Sequence, residues 1–162
     1  MPASIPPRVE LLGGFHVLVD GRATARQPSA RQQQVIAYLL LHARDSSVQR
    51  QRVAAALWPE STDAQALTNL RRELHLLRDA FPKLDALIDA DTRTLAWSGA
   101  RATVDLIEFE RTADRGLNGD RAALQEAARL YKGDLIPECS GVVGGAHLIE
   151  EVMENDAKVM TY

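Results

Sequence analysis

Residues Thr62–Phe81 read TDAQALTNLRRELHLLRDAF, and the fold turns on how this stretch is read. Leu67, Leu70, Leu74, Leu77 and Phe81 recur at three- and four-residue steps, the spacing of one helical face. At about 100° per residue, Gln65, Thr68, Asn69 and Arg72 point the opposite way. His75 and Asp79 lie beside them, and Arg71 and Arg78 sit on the flank. One side is therefore suited to a core. The other carries amides, a hydroxyl and guanidinium forks, the groups that read base edges and grip phosphates. An arginine-rich face alone is more often the solvated side of a surface helix, so the neighbouring segments have to decide.

The ends of this helix are marked. Thr62 and Gln65 spell a T-x-x-Q capping box, and Asp63 places a negative charge in the first turn, where the helix dipole favours it. Pro82 follows Phe81 and closes the helix. Upstream, Ser29 and Gln32 spell a second capping box that opens a helix whose body is QQQVIAYLLLHA. Val35, Ile36, Leu39 and Leu40 point inward, and apolar residues cover most of its circumference, as in a central core helix. A shorter helix is expected over about 49–58, burying Val53, Ala54 and Leu57, with Trp58 at its end. Pro59-Glu60-Ser61 then joins it to the Thr62–Phe81 helix. Two helices joined by a short turn, the second carrying basic and amide groups outward, form a helix-turn-helix arrangement.

Strands flank these helices. In RVELLGGFHVLVDGRATA, Phe15, Val17 and Val19 alternate, and Asp20-Gly21 is a tight-hairpin signal. Short antiparallel strands are expected between Arg8 and Ala25, after a Pro-rich tail, MPASIPP. After Phe81, residues 87–90 and 94–97 are strand-like, with a turn at Asp91-Thr92. A hairpin in that position is where a winged helix carries its wing. Arg93, near the tip, is placed to reach a phosphate or a minor groove. A polar linker, SGARAT over 98–103, marks a boundary. Beyond it, VDLIEFERTADRG is helical with Leu106, Ile107 and Phe109 as core residues, and DRAALQEAARLY is a second helix with Leu124, Ala127, Ala128 and Tyr131 on one face. This is a helical-hairpin pattern. It is expected to end at Gly133 and Pro137, with a Gly-rich loop from Cys139 to Gly145 and a last acidic helix over 146–162.

The chain has 162 residues and is 46% hydrophobic, enough for one large domain or two small ones with a real core. Its net charge is −3, but the distribution matters more than the total. Residues 1–100 hold 12 Lys+Arg against 10 Asp+Glu, whereas residues 101–162 hold 7 against 12. A weakly basic first part thus precedes an acidic second one. The single cysteine, Cys139, excludes an internal disulfide. No apolar run approaches the roughly 18 residues of a membrane span, and the N-terminus lacks the pattern of a signal peptide. A cytoplasmic protein that does not engage membranes is expected.

Catalytic chemistry is not expected. His16, His42, His75 and His147 are scattered without ligand spacing, Cys139 has no histidine partner nearby, and Gly141–Gly145 is followed by no G-K-[ST]. No metal, cofactor or enzymatic activity is expected on these grounds.

Taken in order, LLGGFHVLVDGR, AYLLLHA, LWPES, NLRRELHLLR, VDLIEFER and LYKGDLIPE resemble the SARP (antibiotic regulatory protein) class of bacterial transcription activators. The resemblance covers about 8–138. It implies an α+β fold: an OmpR-type winged-helix DNA-binding domain over 8–98, with N-terminal strands, three helices and a hairpin wing. A partial, all-α bacterial transcriptional activation domain of tetratricopeptide-like helices would follow over 104–162. It implies that Asn69, Arg71, Arg72 and Arg78 lie in the major groove of double-stranded DNA, and that Trp58-Pro59-Glu60-Ser61 faces RNA polymerase. Side-by-side homodimers on promoter direct repeats are part of the same implication. Within it, Thr68, Asn69 and Arg72 are assigned to base edges. Arg71, Arg78, Arg93 and the amides at the start of the first helix are assigned to phosphates, with Gln65 and His75 on the same face. Gln32-Gln33-Gln34 stand where the family often has a basic residue, and the wing tip, Asp91–Thr94, lacks the usual glycine. The activation domain stops short of its usual length, as a fragment of a longer regulator or a shortened one would. The alternative from another class is a protein-interaction module that keeps the winged helix but has lost DNA binding.

Overall fold

The computed structural model describes residues 5–98 and 102–132. The expected helix end at Gly133 and Pro137, the loop over Cys139–Gly145 and the helix over 146–162 lie outside the described residues, as do His147 and residues 99–101 of the linker. The chain gathers into two units: Leu18–Ala102, with the residues before Arg8, and Arg8–Val17 with Thr103 onward. The expected boundary placed residues 8–17 with the winged helix. Here they group with the later residues, because β1 (Arg8–Glu10) pairs in parallel with β7 (Thr103–Val104).

In the first unit, Leu18 and Val19 of β2 (His16–Val19) pair antiparallel with β3 (Arg22–Ala23). The two-residue loop between them has Asp20 at φ 51° and Gly21 at φ 75°. Both are left-handed, the combination that Asp-Gly tolerates and that matches strand twist. Next comes α1 (Ala30–His42). Its capping box is complete: Ser29 Oγ accepts from the Gln32 amide, and Gln32 Oε1 accepts from the Ser29 N–H. Val35 through Leu40 are all buried, so the helix is enclosed on nearly every side, as its continuous apolar run requires.

β4 (Val48–Gln49) leads directly into α2 (Arg50–Leu57), which buries Val53, Ala54 and Leu57. The turn Trp58–Thr62 follows, then α3 (Asp63–Ala80). Ala66, Leu70, Leu74 and Leu77 form its buried seam, with Phe81 buried at the C-cap. Leu67 is only half-buried. The seam enters one residue earlier than its leucines indicate, at Ala66, which is 2% exposed. A leucine buried to this degree stabilises by about 1.5–3 kcal/mol, so Leu70 and Leu77 account for much of the helix's attachment.

α4 (Pro82–Asp85) is a single turn opened by proline at its first position. β5 (Ile88–Ala90) and β6 (Thr94–Trp97) form the hairpin, with Ile88 opposite Trp97 and Ala90 opposite Leu95. β4 adds a third strand, giving the order β4-β6-β5. The Trp97 backbone N–H donates to the Ala43 carbonyl at 2.8 Å, which ties the hairpin to the end of α1.

In the second unit, α5 (Asp105–Leu117) and α6 (Arg121–Leu130) fold back on each other. Leu106, Phe109 and Ala113 meet Ala123, Leu124 and Ala127 as the buried set, while Ile107, Ala128 and Tyr131 are half-buried. A Cβ at Gly116 would lie 2.8 Å from Leu124 Cα, so glycine is what lets the two helices approach this closely. Asp105 is 1% exposed, and its carboxylate accepts from the N–H groups of Leu11, Leu12 and Leu106 at 2.7–3.0 Å. Burial pushes its pKa up against the pull of those donors. A buried amide without a partner costs about 1–3 kcal/mol, so one carboxylate secures the segment after β1.

Candidate nucleic-acid interface

α3 is clamped along Ala66, Leu70, Leu74 and Leu77, and helical geometry then fixes what stands outward. Gln65, Thr68, Arg71, Arg72, His75 and Arg78 are exposed, and Asn69 is partly so. The start of the helix departs from its expected form. Thr62 Oγ1 accepts from the Gln65 N–H at 3.3 Å, but the Gln65 side chain donates to Asn69 Oδ1 at 3.0 Å rather than turning back to the cap. The box is half made, and Gln65 and Asn69 present their amides as a pair. Thr68 Oγ1 donates to the Ala64 carbonyl at 2.9 Å, which leaves its methyl and the oxygen lone pairs outward.

The charged members divide into two groups. His75 Nε2 lies 3.4 Å from Asp79 Oδ2, and Arg78 Nε lies 3.2 Å from Asp85 Oδ2. Among the described residues no carboxylate pairs with Arg71, Arg72 or Arg93. Those three guanidiniums keep their donors in solvent, ready for an acceptor from outside.

The wing has no glycine at its tip, and Asp91 supplies what the turn needs. Its Oδ1 accepts from the Arg93 and Thr94 N–H groups at 2.6 and 2.7 Å, and its Oδ2 from the Thr94 hydroxyl at 2.8 Å. These bonds, the Thr94 N–H foremost, hold the Asp91 pKa below the ordinary carboxylate range. Arg93 is exposed at this tip.

Arg50 was not singled out by any periodicity. It stands at the first position of α2, where its N–H donates to the Arg93 carbonyl and its Nε to the Asp91 carbonyl, each at 2.8 Å. Burial lowers its pKa first, followed by the like charges of Arg71 and Arg78, with Asp91 pulling the other way. Arg50, Arg71 and Arg78 line one cleft of about 130 Å³ with Leu74, His75, Asp85, Ile88 and Ala90.

The glutamines at the start of α1 are engaged within the fold. The Gln32 amide is 7% exposed and committed to the cap, and Gln33 Nε2 donates to the Pro28 carbonyl at 2.8 Å. Gln34 Oε1 accepts from Arg31, which also donates to the Leu57 carbonyl at 2.6 Å and lies 5.0 Å from the centre of the Trp58 ring. Arg31 thereby ties α1 to the end of α2 and to the turn that follows. In that turn Trp58 and Ser61 are half-buried, while Pro59 and Glu60 are exposed.

Over 96% of its length the chain superposes on 43% of Mycobacterium tuberculosis EmbR, in a structure with a low affinity phosphopeptide, with a TM-score of 0.63 and 19% sequence identity. The likeness is one of fold. Strands first, then helices closed by a hairpin, fit a winged-helix-like arrangement. The chain spans less than half the length of that neighbour. No protein-family model and no curated protein matches it. Among the described residues no helix is long and apolar enough to cross a membrane.

Proposed function

We propose that the chain is a DNA-binding transcriptional regulator of the SARP type, acting as an activator. The observation that carries this reading is the outward side of α3. Arg71 and Arg72 stand there without carboxylate partners among the described residues, beside the Gln65–Asn69 amide pair. An amide pair and an unpaired arginine fork on one helix side are the kinds of donor and acceptor that read base edges. In this reading α3 enters the major groove. Thr68, Asn69 and Arg72 face bases, Arg71 and Arg78 face phosphates on one flank, and Arg93 reaches the backbone or minor groove from the wing. The likeness of fold supports it, since the same elements would place α3 and the hairpin together on a duplex.

The finer parts follow from the same reading. The turn Trp58–Ser61, braced by Arg31, is the surface offered to RNA polymerase. Direct promoter repeats bind two copies side by side. The α5–α6 hairpin belongs to a tetratricopeptide-like activation domain. A pull-down of genomic fragments by the chain, followed by footprinting, tests the reading. It expects protected tracts about one helical turn apart. Recovery of fragments without any common protected sequence would support the alternative, a winged helix kept for protein contacts.

A further inference from the structure

A second cleft lies between the start of α1 and the C-terminal half of α3. Arg26, Ser29 and Gln32 line one side, and Glu73, Leu76 and Asp79 the other. The first side is a wall of donors. Gln32 is 7% exposed, and its carboxamide oxygen accepts from the Ser29 N–H at 3.0 Å. Its carboxamide nitrogen has no acceptor among the described residues. A donor left without a partner at such burial is costly, so this nitrogen calls for an acceptor from outside. The Ser29 hydroxyl accepts from the Gln32 N–H and keeps its own hydrogen to give. Arg26 is exposed, and its guanidinium has no carboxylate partner among the described residues. The wall is fixed from behind: Thr24 Oγ1 donates to the Arg26 carbonyl at 2.8 Å, and Gln27 Nε2 donates to the Thr24 carbonyl at 3.0 Å. The α3 side carries acceptors around an apolar patch. Glu73 is half-buried and has no cationic partner among the described residues. Asp79 meets His75 through Oδ2 at 3.4 Å, which leaves its second oxygen. Leu76 is 40% exposed along the cleft it lines.

We propose that this cleft binds a small zwitterion with an apolar body, of the amino-acid or short-peptide class. The ligand's carboxylate accepts from the Gln32 carboxamide nitrogen, the Ser29 hydroxyl and the Arg26 guanidinium. Its ammonium lies against Glu73 and Asp79, and its apolar body covers Leu76. A simple anion would face two carboxylates here. A simple cation would face Arg26 and leave the Gln32 nitrogen without an acceptor. Only a ligand with both ends satisfies both walls. The cleft's volume of about 500 Å³ falls in the range of about 300–1,000 Å³ found for small-molecule sites, and is far larger than the share of a few waters. The proposal stands apart from the DNA reading and survives its failure.

The test titrates leucyl-leucine and free leucine separately into the full chain while backbone amide resonances are followed by NMR. The amides of Ser29, Gln32, Glu73 and Leu76 are expected to shift together on one saturation curve, while that of Arg111 on α5 stays still. Tighter binding of leucyl-leucine would assign the cleft to peptides, and tighter binding of leucine to free amino acids. No saturable shift at these residues with either probe would overturn the proposal.

The tighter probe is then capped, which removes one charge at a time and leaves the chain unaltered. N-acetylation removes its ammonium, and amidation removes its carboxylate. Each capped form is expected to bind several-fold more weakly, since each loses its charge-assisted bonds to one wall. Equal binding by the capped and free forms would overturn the zwitterion and leave an apolar contact at Leu76. On the protein side, Glu73→Gln is expected to bind the free probe several-fold more weakly and the N-acetylated probe as the parent does, because the two changes remove the same ion pair. Parental affinity of Glu73→Gln for the free probe would overturn the pairing of the ammonium with α3.

Discussion

Arg78 and Asp85 meet between α3 and the single turn of α4, Nε to Oδ2 at 3.2 Å. The pair places a carboxylate at the edge of a surface otherwise made of guanidiniums. Both side chains reach solvent, so the pair itself stabilises the fold by no more than about 1 kcal/mol. Its larger effect is on binding, because a polyanion must approach Asp85 as well as Arg78. Asp85→Asn is expected to tighten duplex binding about two- to five-fold at low salt, an effect of the size of one exposed ion pair, and to lose that advantage as salt rises. Unchanged affinity, measured by fluorescence anisotropy, would place Asp85 away from the bound backbone.

Arg72 is the guanidinium most centrally placed on the outward side of α3. If it makes a bidentate contact to guanine, Arg72→Ala costs about 1–3 kcal/mol against the operator and relaxes the choice of base at one position. Its affinity for random duplex should fall much less. Selection of sites by the variant from a randomised pool shows the difference. Operator and random duplex weakened equally would make Arg72 a phosphate contact instead.

Arg31 separates two parts of the proposed activity. It lies over the Trp58 ring and holds the Leu57 carbonyl, and it belongs to α1 rather than to α3. Arg31→Ala should leave DNA affinity within about two-fold, since a lost cation–π contact at an exposed site is worth only about 0.5–1 kcal/mol. It should lower transcription from the bound promoter in a reconstituted assay. Full transcription by a chain lacking Arg31 would remove the turn Trp58–Ser61 from the polymerase contact.

The wing tip should respond to acid in one direction. Asp91 accepts backbone N–H bonds from Thr94 and Arg93, and these hold its pKa below the ordinary value of 3.8. The folded form thus prefers the charged carboxylate. Its contribution is complete above pH 3.8 and is lost as pH falls through the lowered folded value. The amide resonances of Arg93 and Thr94 should titrate together with a midpoint below 3.8. A midpoint at or above that figure would mean that the carboxylate does not hold the turn in solution.

Much of this arrangement is legible in the chain because it is local. The Ser29–Gln32 box, the Asp20-Gly21 turn, the α3 seam and the β5–β6 hairpin each depend on residues within a few positions of one another, and their patterns repeat often enough to count. What escapes is short or distant. β4 is two residues long, too short to show a period, and exists because β6 offers it an edge. The pairing of β1 with β7 joins residues about ninety-five positions apart, and no local signal carries that. Arg50 reads as one more polar residue at a helix start until the wing tip is seen to end on it. Gln65 spells a capping residue, but Asn69 lies one turn on and competes for its amide. Asp91 stands where a glycine is customary, and only the hydrogen bonds of its carboxylate show how the turn closes without one.

The central claim is that α3 is pinned by its leucine seam so that its arginine and amide side meets a duplex. It is tested most directly by the equilibrium binding of the intact chain to operator-containing DNA across a range of salt. The account predicts that log K falls linearly with log salt, at about −0.9 for each phosphate neutralised. Arg71, Arg78 and Arg93 would each add to that slope. A chain that retains its fold but shows no duplex binding at the lowest salt would contradict it.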